Sequence, residues 1–180
     1  KNSREAKQVI NQKKVLINKK PADDLKFQTG LFDVLEFADK SYRILLNRKG
    51  KLAFKEISKS DADISLLKII KKTKLKGSKL QLNFHNGFNM LVEKNDVKAN
   101  DVLVMENNKI KEKINFEKGN TVYIVKGKNI GKTAKIEMIH EKPPLNKQVT
   151  LKIDDKKINL PKDYIFLVGK EKPAIALLEK

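Results

Sequence analysis

The chain has 180 residues, of which 39% are hydrophobic, so it can bury a core in one large domain or in a few small modules. Its 40 basic residues outnumber its 22 acidic ones and give a formal net charge of +18, which favours a polyanionic partner such as nucleic acid. The absence of cysteine excludes disulfides, zinc ribbons and thiol catalysis. Because no apolar run approaches the ~20 residues that span a bilayer, we expect a soluble protein with no membrane partner.

Lysine carries almost all of the positive charge, since arginine occurs only at Arg4, Arg43 and Arg48. A lysine ammonium is a point charge suited to phosphates, whereas arginine is the residue that reads base edges with two parallel hydrogen bonds. The composition therefore predicts recognition of a nucleic-acid backbone and its shape rather than of its base sequence.

An amphipathic helix is predicted at the start of the chain. Asn2 can cap it, and Glu5 stands at the spacing of a capping box. The apolar residues that follow share one face, and Arg4 and Lys7 lie on the opposite face. We expect these two basic side chains to contact nucleic acid.

A short strand is predicted at residues 15–17, followed by a turn that carries Lys19 and Lys20. The basic helix face and the basic turn are expected to converge on one side, so both lysines are candidate nucleic-acid contacts. A lone helix and strand cannot bury their apolar faces. Residues 1–21 are therefore interpreted as the C-terminal part of a small α/β module, with its partner helix expected upstream of Lys1.

Residues 22–113 are predicted to form a central β domain of mostly short strands. Within it, residues 44–46 and 52–54 flank a turn that contains Arg48 and Lys49. This pattern predicts a hairpin with two basic side chains at its tip, both of them candidate nucleic-acid contacts.

A second hairpin is predicted where Asn86-Gly87, a strong signal for a tight turn, separates two alternating apolar runs. Between the two hairpins, residues 60–63 are typical of a cap or turn, and residues 71–79 are predicted to be a dense cationic connection. A charge run is usually a solvated face, and contact with RNA is the other interpretation. The candidate contacts of this connection are Lys72, Lys74 and Lys79.

Residues 114–180 are predicted to form a small SH3-like barrel of five short strands, with a bend at residues 160–164 before the last strand. In the second strand Ala134, Ile136 and Met138 alternate and are predicted to share one buried face. The whole chain is thus expected to be mainly β, within the α+β class.

The loop between the first two strands of that module is rich in lysine and contains Gly127 and Gly131. A residue without Cβ permits positive φ and lets another backbone, such as a nucleic-acid strand, come close. The loop also imitates a nucleotide phosphate-binding loop, but that motif needs four residues between its glycines and a helix afterwards, and here three residues and a strand pattern occur. The candidate nucleic-acid contacts of the loop are Lys126, Lys128, Asn129 and Lys132.

No catalytic or metal site is predicted. His85 and His140 are the only histidines and lie far apart in the sequence. Asp33 is the best placed acid, but a turn or cap role explains it better than catalysis. We therefore expect no enzymatic activity and no cofactor.

Residues 119–139 resemble the KOW motif, which ribosomal proteins share with transcription elongation factors of the NusG and Spt families. Further stretches resemble, in chain order, the small-subunit ribosomal protein family "S four e" of archaea and eukaryotes. The first looks like the tail of an S-four-type RNA-binding module. These stretches are residues 3–7 with 15–20, 30–34, 68–73, 77–87 and 163–169. The resemblance covers essentially the whole chain.

The resemblance implies a structural protein of the cytoplasmic ribosome that binds small-subunit ribosomal RNA and contacts neighbouring ribosomal proteins. It implies neither enzymatic activity nor a cofactor. Ala134 stands where the KOW pattern usually has a third glycine, which suggests an ordinary strand conformation there. Away from the ribosome we expect a monomer whose modules are flexibly oriented.

Two alternatives come from other functional classes. A KOW-containing elongation factor associated with RNA polymerase would fit the last module, but no aromatic-rich αβ module precedes it. An RNA-modifying enzyme could use the S-four-type module as an anchor, but it would need a catalytic constellation that the sequence does not offer.

Overall fold

The computed structural model describes residues 2–75, 79–93, 96–107, 109–140, 142–143 and 147–178. Within these residues the chain consists mostly of strands, with helices α1 (Ser3–Asn11) and α2 (Lys59–Ala62) and a 3-10 helix at Lys162–Tyr164. In chain order the strands are β1 (Val15–Ile17), β2 (Lys20–Pro21), β3 (Val34–Phe37), β4 (Lys40–Leu46), β5 (Leu52–Ile57), β6 (Ile64–Lys74), β7 (Leu80–Phe84), β8 (Asn89–Val92), β9 (Val102–Glu106), β10 (Lys109–Ile114), β11 (Thr121–Ile124), β12 (Thr133–Ile139), β13 (Gln148–Ile153), β14 (Lys156–Pro161) and β15 (Ile165–Gly169).

The described strands form three antiparallel sheets of five strands each. Sheet one has the order β2-β1-β3-β4-β5, sheet two the order β10-β9-β6-β7-β8, and sheet three the order β14-β13-β12-β11-β15. The predicted mainly β fold is confirmed. In sheet three the last strand, β15, lies beside the first, β11.

Helix α1 begins as the sequence predicts. The Asn2 side chain accepts a hydrogen bond from Glu5 N at 3.0 Å, and the Glu5 carboxylate accepts one from Asn2 N at 3.3 Å, which completes the capping box. Val9 and Ile10 are half-buried. None of the nine residues of α1, all within the described part of the chain, is fully buried. The helix therefore lies at the surface.

Both predicted hairpins are present. β4 pairs with β5 across residues 47–51, and β7 pairs with β8 across a turn in which Gly87 has a φ of +80°. The segment predicted as a cap or turn is the short helix α2, where the Ser58 side chain accepts a hydrogen bond from Asp61 N at 3.1 Å.

Strand β6 is 11 residues long and lies at the middle of sheet two. Its first half pairs with β9 and its second half with β7. The prediction of a connection over residues 71–79 is wrong for residues 71–74, because pairing with β7 overrides the weak preference of lysine for strands. Residues 76–78 lie outside the described residues.

Sheet three contains the five strands predicted for the last module, and the predicted bend is the 3-10 helix. Ala134 and Ile136 are buried as predicted, but Met138 is 56% exposed, so its predicted burial is wrong. The register of β12 against β13 shifts between Ile136 and Met138. One extra residue there turns Met138 to the outer face. That these strands form an SH3-like barrel stays a prediction.

One core cluster joins all three sheets. It contains Leu45 of sheet one, Val104 of sheet two and Val122 of sheet three, each at most 2% exposed. All four residues of strand β11 are buried, and Tyr123 packs edge-on against Phe32, which lies just before β3, with 5.6 Å between ring centroids. The expectation of flexibly oriented modules is therefore wrong, since the sheets share their core.

The predicted module boundaries fall inside sheets. β1 pairs with both β2 and β3, so sheet one crosses the boundary after residue 21. β10 ends at Ile114, so sheet two reaches across the boundary after residue 113. The division of the chain into three modules stays a prediction.

In the described residues, no helix is both long enough and apolar enough to cross a membrane.

Arg43 is a buried charge that links sheet one to α2 and β6. Its side chain is 0% exposed and donates hydrogen bonds to Asp61 O at 2.6 Å, Ile64 O at 2.9 Å and Phe32 O at 3.4 Å. Burial lowers the pKa of Arg43 to about 10, although the Asp61 charge opposes this. The guanidinium therefore remains protonated at neutral pH and has a structural role.

Candidate nucleic-acid interface

Loop A, defined as residues 47–51 between β4 and β5, is organised by Asn47. The Asn47 Oδ1 accepts hydrogen bonds from Lys49 N at 2.9 Å and Lys51 N at 3.0 Å, and the Asn47 carbonyl accepts one from Gly50 N at 2.9 Å. An asparagine side chain commonly bonds to the backbone two residues further on, and this ability fixes the loop. Arg48 and Lys49 are both exposed on it.

Loop B, defined as residues 125–132 between β11 and β12, is closed by two backbone hydrogen bonds. Ile124 N donates to Lys132 O, and Gly131 N donates to Ile124 O, both at 2.9 Å. Gly127 and Gly131 have φ values of +90° and +79°. The loop therefore needs a positive φ at both positions, which glycine adopts readily because it has no Cβ. The candidate residues of the loop are Lys126, Lys128 and Lys132, which are exposed, and Asn129, which is half-buried.

Loop A packs against loop B and the strand before it. The Tyr123 hydroxyl donates to Leu46 O at 2.7 Å. A Cβ built on Gly131 would lie 3.1 Å from Leu46 O, and one built on Gly50 would lie 3.3 Å from Ile130 Cδ1. The backbone that approaches Gly131 is therefore the end of the protein's own β4. The prediction that this glycine admits a nucleic-acid strand is wrong.

An open depression of about 530 Å³ lies where the two loops meet. Arg48 of loop A and Lys132 of loop B both line it, together with Asp154 from the turn between β13 and β14. The structure thus brings two of the predicted basic clusters, which are far apart in the sequence, onto one surface.

The two lysines predicted in the first turn have different surroundings. Lys19 Nζ lies 2.9 Å from Asp63 Oδ1 and 3.1 Å from Glu36 Oε2. Partial burial lowers the pKa of Lys19, but hydrogen bonds to the two carboxylates outweigh this and raise the pKa above its ordinary value. Lys20 is exposed, as are Arg4 and Lys7 on α1. Lys19 therefore has internal partners, whereas its neighbour faces solvent.

The neighbouring lysines Lys71 and Lys72 of β6 lie on opposite faces of sheet two. Lys72 stands opposite the buried Leu82 of β7, and its Nζ donates to Val97 O at 2.6 Å. The sequence analysis did not select Lys71, which lies on the face opposite Lys72. Successive side chains of a strand point to opposite faces, so assigning this segment to a strand would have distinguished Lys71 from Lys72. The exposed lysines of this region are Lys71, Lys74 and Lys79.

Lys68 is a further cation that the sequence analysis missed. Its Nζ donates to Ile165 O at 3.0 Å and lies 5.9 Å from the centroid of the Phe166 ring. Burial lowers the pKa of Lys68; the Asp163 charge raises it, and the Lys126 charge lowers it further. Lys126 of loop B therefore lies near a second basic side chain, Lys68, and the Asp163 carboxylate also lies near Lys68.

The residues considered for catalysis, Asp33 and His85, make contacts that stabilise the fold. Asp33 accepts hydrogen bonds from Gly30 N at 2.6 Å and Asn18 Nδ2 at 2.8 Å, which is the predicted turn role. His85 packs edge-on against Phe166 with 4.9 Å between ring centroids, and burial lowers the pKa of His85. Among the residues that the structure describes, no cluster of three or more histidine, aspartate or glutamate side chains could hold a metal ion.

Two family models match the chain in consecutive segments. The model described as S4 domain matches residues 1–35, and the model described as Ribosomal family S4e matches residues 38–114.

Several known proteins match almost the full length of this chain. The small ribosomal subunit protein eS4 of Methanocaldococcus jannaschii is 37% identical over 189 residues, which cover 98% of this chain and 77% of that protein. The protein of the same name from Methanosphaera stadtmanae is 35% identical over 182 residues, with coverage of 98% and 75%. The crystal structure of the 30S ribosomal protein S4e from Thermoplasma acidophilum matches with a TM-score of 0.83 at 30% identity, covering 93% of this chain and 86% of that one.

Proposed function

Because the chain belongs to the Ribosomal family S4e, we propose that it is a structural constituent of the small ribosomal subunit that binds small-subunit ribosomal RNA. The observation that carries this proposal is the surface formed by loops A and B. Two packed loops there expose Arg48, Lys49, Lys126 and Lys128. These side chains form no ion pair within the described residues, so their charges are available to phosphates.

The thirteen residues selected from the sequence contribute unequally to this binding. The cations of loops A and B contact phosphates, and Asn129 donates to a phosphate or ribose oxygen. Lys19 and Lys72 would first have to leave Asp63, Glu36 and Val97 O, so they contribute less. Contacts outside the two loops come from Arg4, Lys7, Lys20, Lys74 and Lys79, which are all exposed.

The proposal includes the surroundings of the protein. It contacts neighbouring ribosomal proteins in the cytoplasmic ribosome, is a monomer away from it, and has no catalytic role. The elongation-factor alternative receives no support from the relatives, whose names are those of small-subunit ribosomal proteins.

The salt dependence of RNA binding tests the assignment of loop B. The triple variant Lys126→Gln, Lys128→Gln, Lys132→Gln removes three cations from the loop. If each contacts a phosphate, the slope of log K against log salt should become shallower by about 0.7–0.9 per lost contact, or roughly 2–3 in total. Filter binding of the chain to small-subunit ribosomal RNA over a series of salt concentrations measures this slope.

A matched control removes the same charge elsewhere. Lys13, Lys59 and Lys109 are also exposed, and their simultaneous replacement by glutamine should leave the slope nearly unchanged. Equal slopes for the two triple variants would show that loop B does not contact the RNA backbone.

A further inference from the structure

We propose that loops A and B form one composite site, which holds a single continuous stretch of RNA backbone across the junction of sheets one and three. The inference rests on the proposed function, because it takes RNA binding as given. It adds that the two basic clusters act on the same stretch of RNA rather than on separate ones.

The first argument is that the loops cannot move independently. Leu46, the residue before loop A, accepts the Tyr123 hydroxyl hydrogen bond at 2.7 Å. Gly131 of loop B lies so close that an added Cβ would be 3.1 Å from the same carbonyl oxygen. The neighbouring Leu45 is 0% exposed in the shared core. Separating the loops would break this hydrogen bond and expose core side chains to water.

The second argument is the internal order of each loop. Loop A is held by two hydrogen bonds to Asn47 Oδ1. In loop B the turn is closed further by hydrogen bonds from Ile130 N to Gly127 O at 3.2 Å and from Lys132 N to Asn129 O at 3.3 Å. The cations therefore project from a preorganised support, which reduces the entropy lost on binding.

The third argument is the chemistry of the surface. Loop A contributes Arg48 and Lys49, whereas Asp154 is the acidic residue among those that line the depression. Loop B contributes Lys126, Lys128 and Lys132. No aromatic side chain is among the described residues that line the depression, so the depression itself offers no platform for stacking a base. Several cations carried by two preorganised loops suit a polymer whose phosphates repeat at regular spacing.

Directed hydroxyl-radical cleavage tests the composite site. The chain has no cysteine, so Lys49→Cys and Lys128→Cys each introduce a single thiol to which an iron chelate can be attached. Each labelled variant loses one cation and should bind small-subunit ribosomal RNA only a few-fold more weakly. The expected result is that the two probes cut overlapping nucleotides of one stretch of RNA. A third probe at the exposed Lys109→Cys, on the edge strand of sheet two, should cut elsewhere or not at all.

The other outcomes separate this inference from the proposed function. If the chain does not bind the RNA, the proposed function fails. If it binds but the two probes cut separate stretches with no common nucleotide, only the composite site is refuted. If the bound variants cut no RNA from either position, the surface faces another kind of partner, such as an acidic protein, and the composite site is again refuted.

Discussion

Replacing Arg43 with methionine should destabilise the fold without affecting the RNA-binding surface. Arg43 makes two well-formed hydrogen bonds to backbone carbonyls, at 2.6 Å and 2.9 Å, and a longer one at 3.4 Å. Hydrogen bonds to charged groups stabilise by about 1.5–3 kcal/mol each, so losing the two short ones costs roughly 3–6 kcal/mol. Removing a buried charge recovers part of its desolvation penalty. We expect a net loss of about 2–4 kcal/mol in the free energy of unfolding, because the carbonyls remain buried without their donor.

Urea denaturation at neutral pH, followed by circular dichroism, measures this loss. Methionine is unbranched and adaptable, so it fills most of the space of the arginine stem and keeps the cavity contribution small. The matched control is Arg48→Met, the same substitution at an exposed position, which should change stability by no more than about 0.5 kcal/mol. The reasoning is refuted if Arg43→Met unfolds within about 1 kcal/mol of the unsubstituted chain, or if the two variants are equally destabilised.

Three further perturbations have expected signs. Burial lowers the pKa of His85 below 6.5, so the stability contributed by the neutral imidazole is present above pH 6.5 and is lost as the pH falls through the folded-state pKa. Between about pH 7.5 and about pH 5, His85→Leu should therefore lose less stability than the unsubstituted chain, by at most about 1.4 kcal/mol per pH unit. Equal losses of stability in the two proteins would contradict this. Gly131→Ala should cost about 1–3 kcal/mol more stability than Gly87→Ala. The two glycines have nearly equal φ values, +79° and +80°, but of the two only Gly131 has other backbone atoms close to an added Cβ. Equal urea midpoints for the two variants would show that loop A moves away freely. Tyr123→Phe should cost about 1 kcal/mol through the lost hydrogen bond to Leu46 O, and unchanged thermal unfolding would show that this bond does not hold the loops together.

Features that depend on a few neighbouring residues could be predicted from the sequence. The Asn2 and Glu5 capping box needs two side chains three positions apart, and its hydrogen bonds are present. The β7–β8 hairpin follows from Asn86-Gly87, since glycine accepts the positive φ that the turn requires. Local chemistry decides such elements before any tertiary contact forms.

Features that depend on strand pairing could not be predicted in the same way. Lys72 lies in a run of lysines that is typical of a connection, and only pairing with β7 makes it part of a strand. Met138 continues an apolar alternation, but a register shift against β13 turns it outward. Neither the partner strand nor the bulge leaves a distinct local pattern.

The candidate site was predicted in parts but not as a whole. Each lysine-rich loop is visible in the sequence, whereas their contact depends on the packing of sheet one over β11. The hydrogen bond between Tyr123 and Leu46 joins residues that are 77 positions apart. A single sequence shows no periodicity that links two such positions. For the same reason it does not show that the backbone at the end of β4 approaches Gly131 closely.

Sedimentation of a cell extract through gradients of increasing salt tests the central claim most directly, with this protein followed against small ribosomal subunits and RNA polymerase. Binding to ribosomal RNA through many lysine–phosphate contacts predicts that the protein sediments with the small subunit and is released only at high salt. Sedimentation with RNA polymerase, or as free protein at low salt, would contradict the claim.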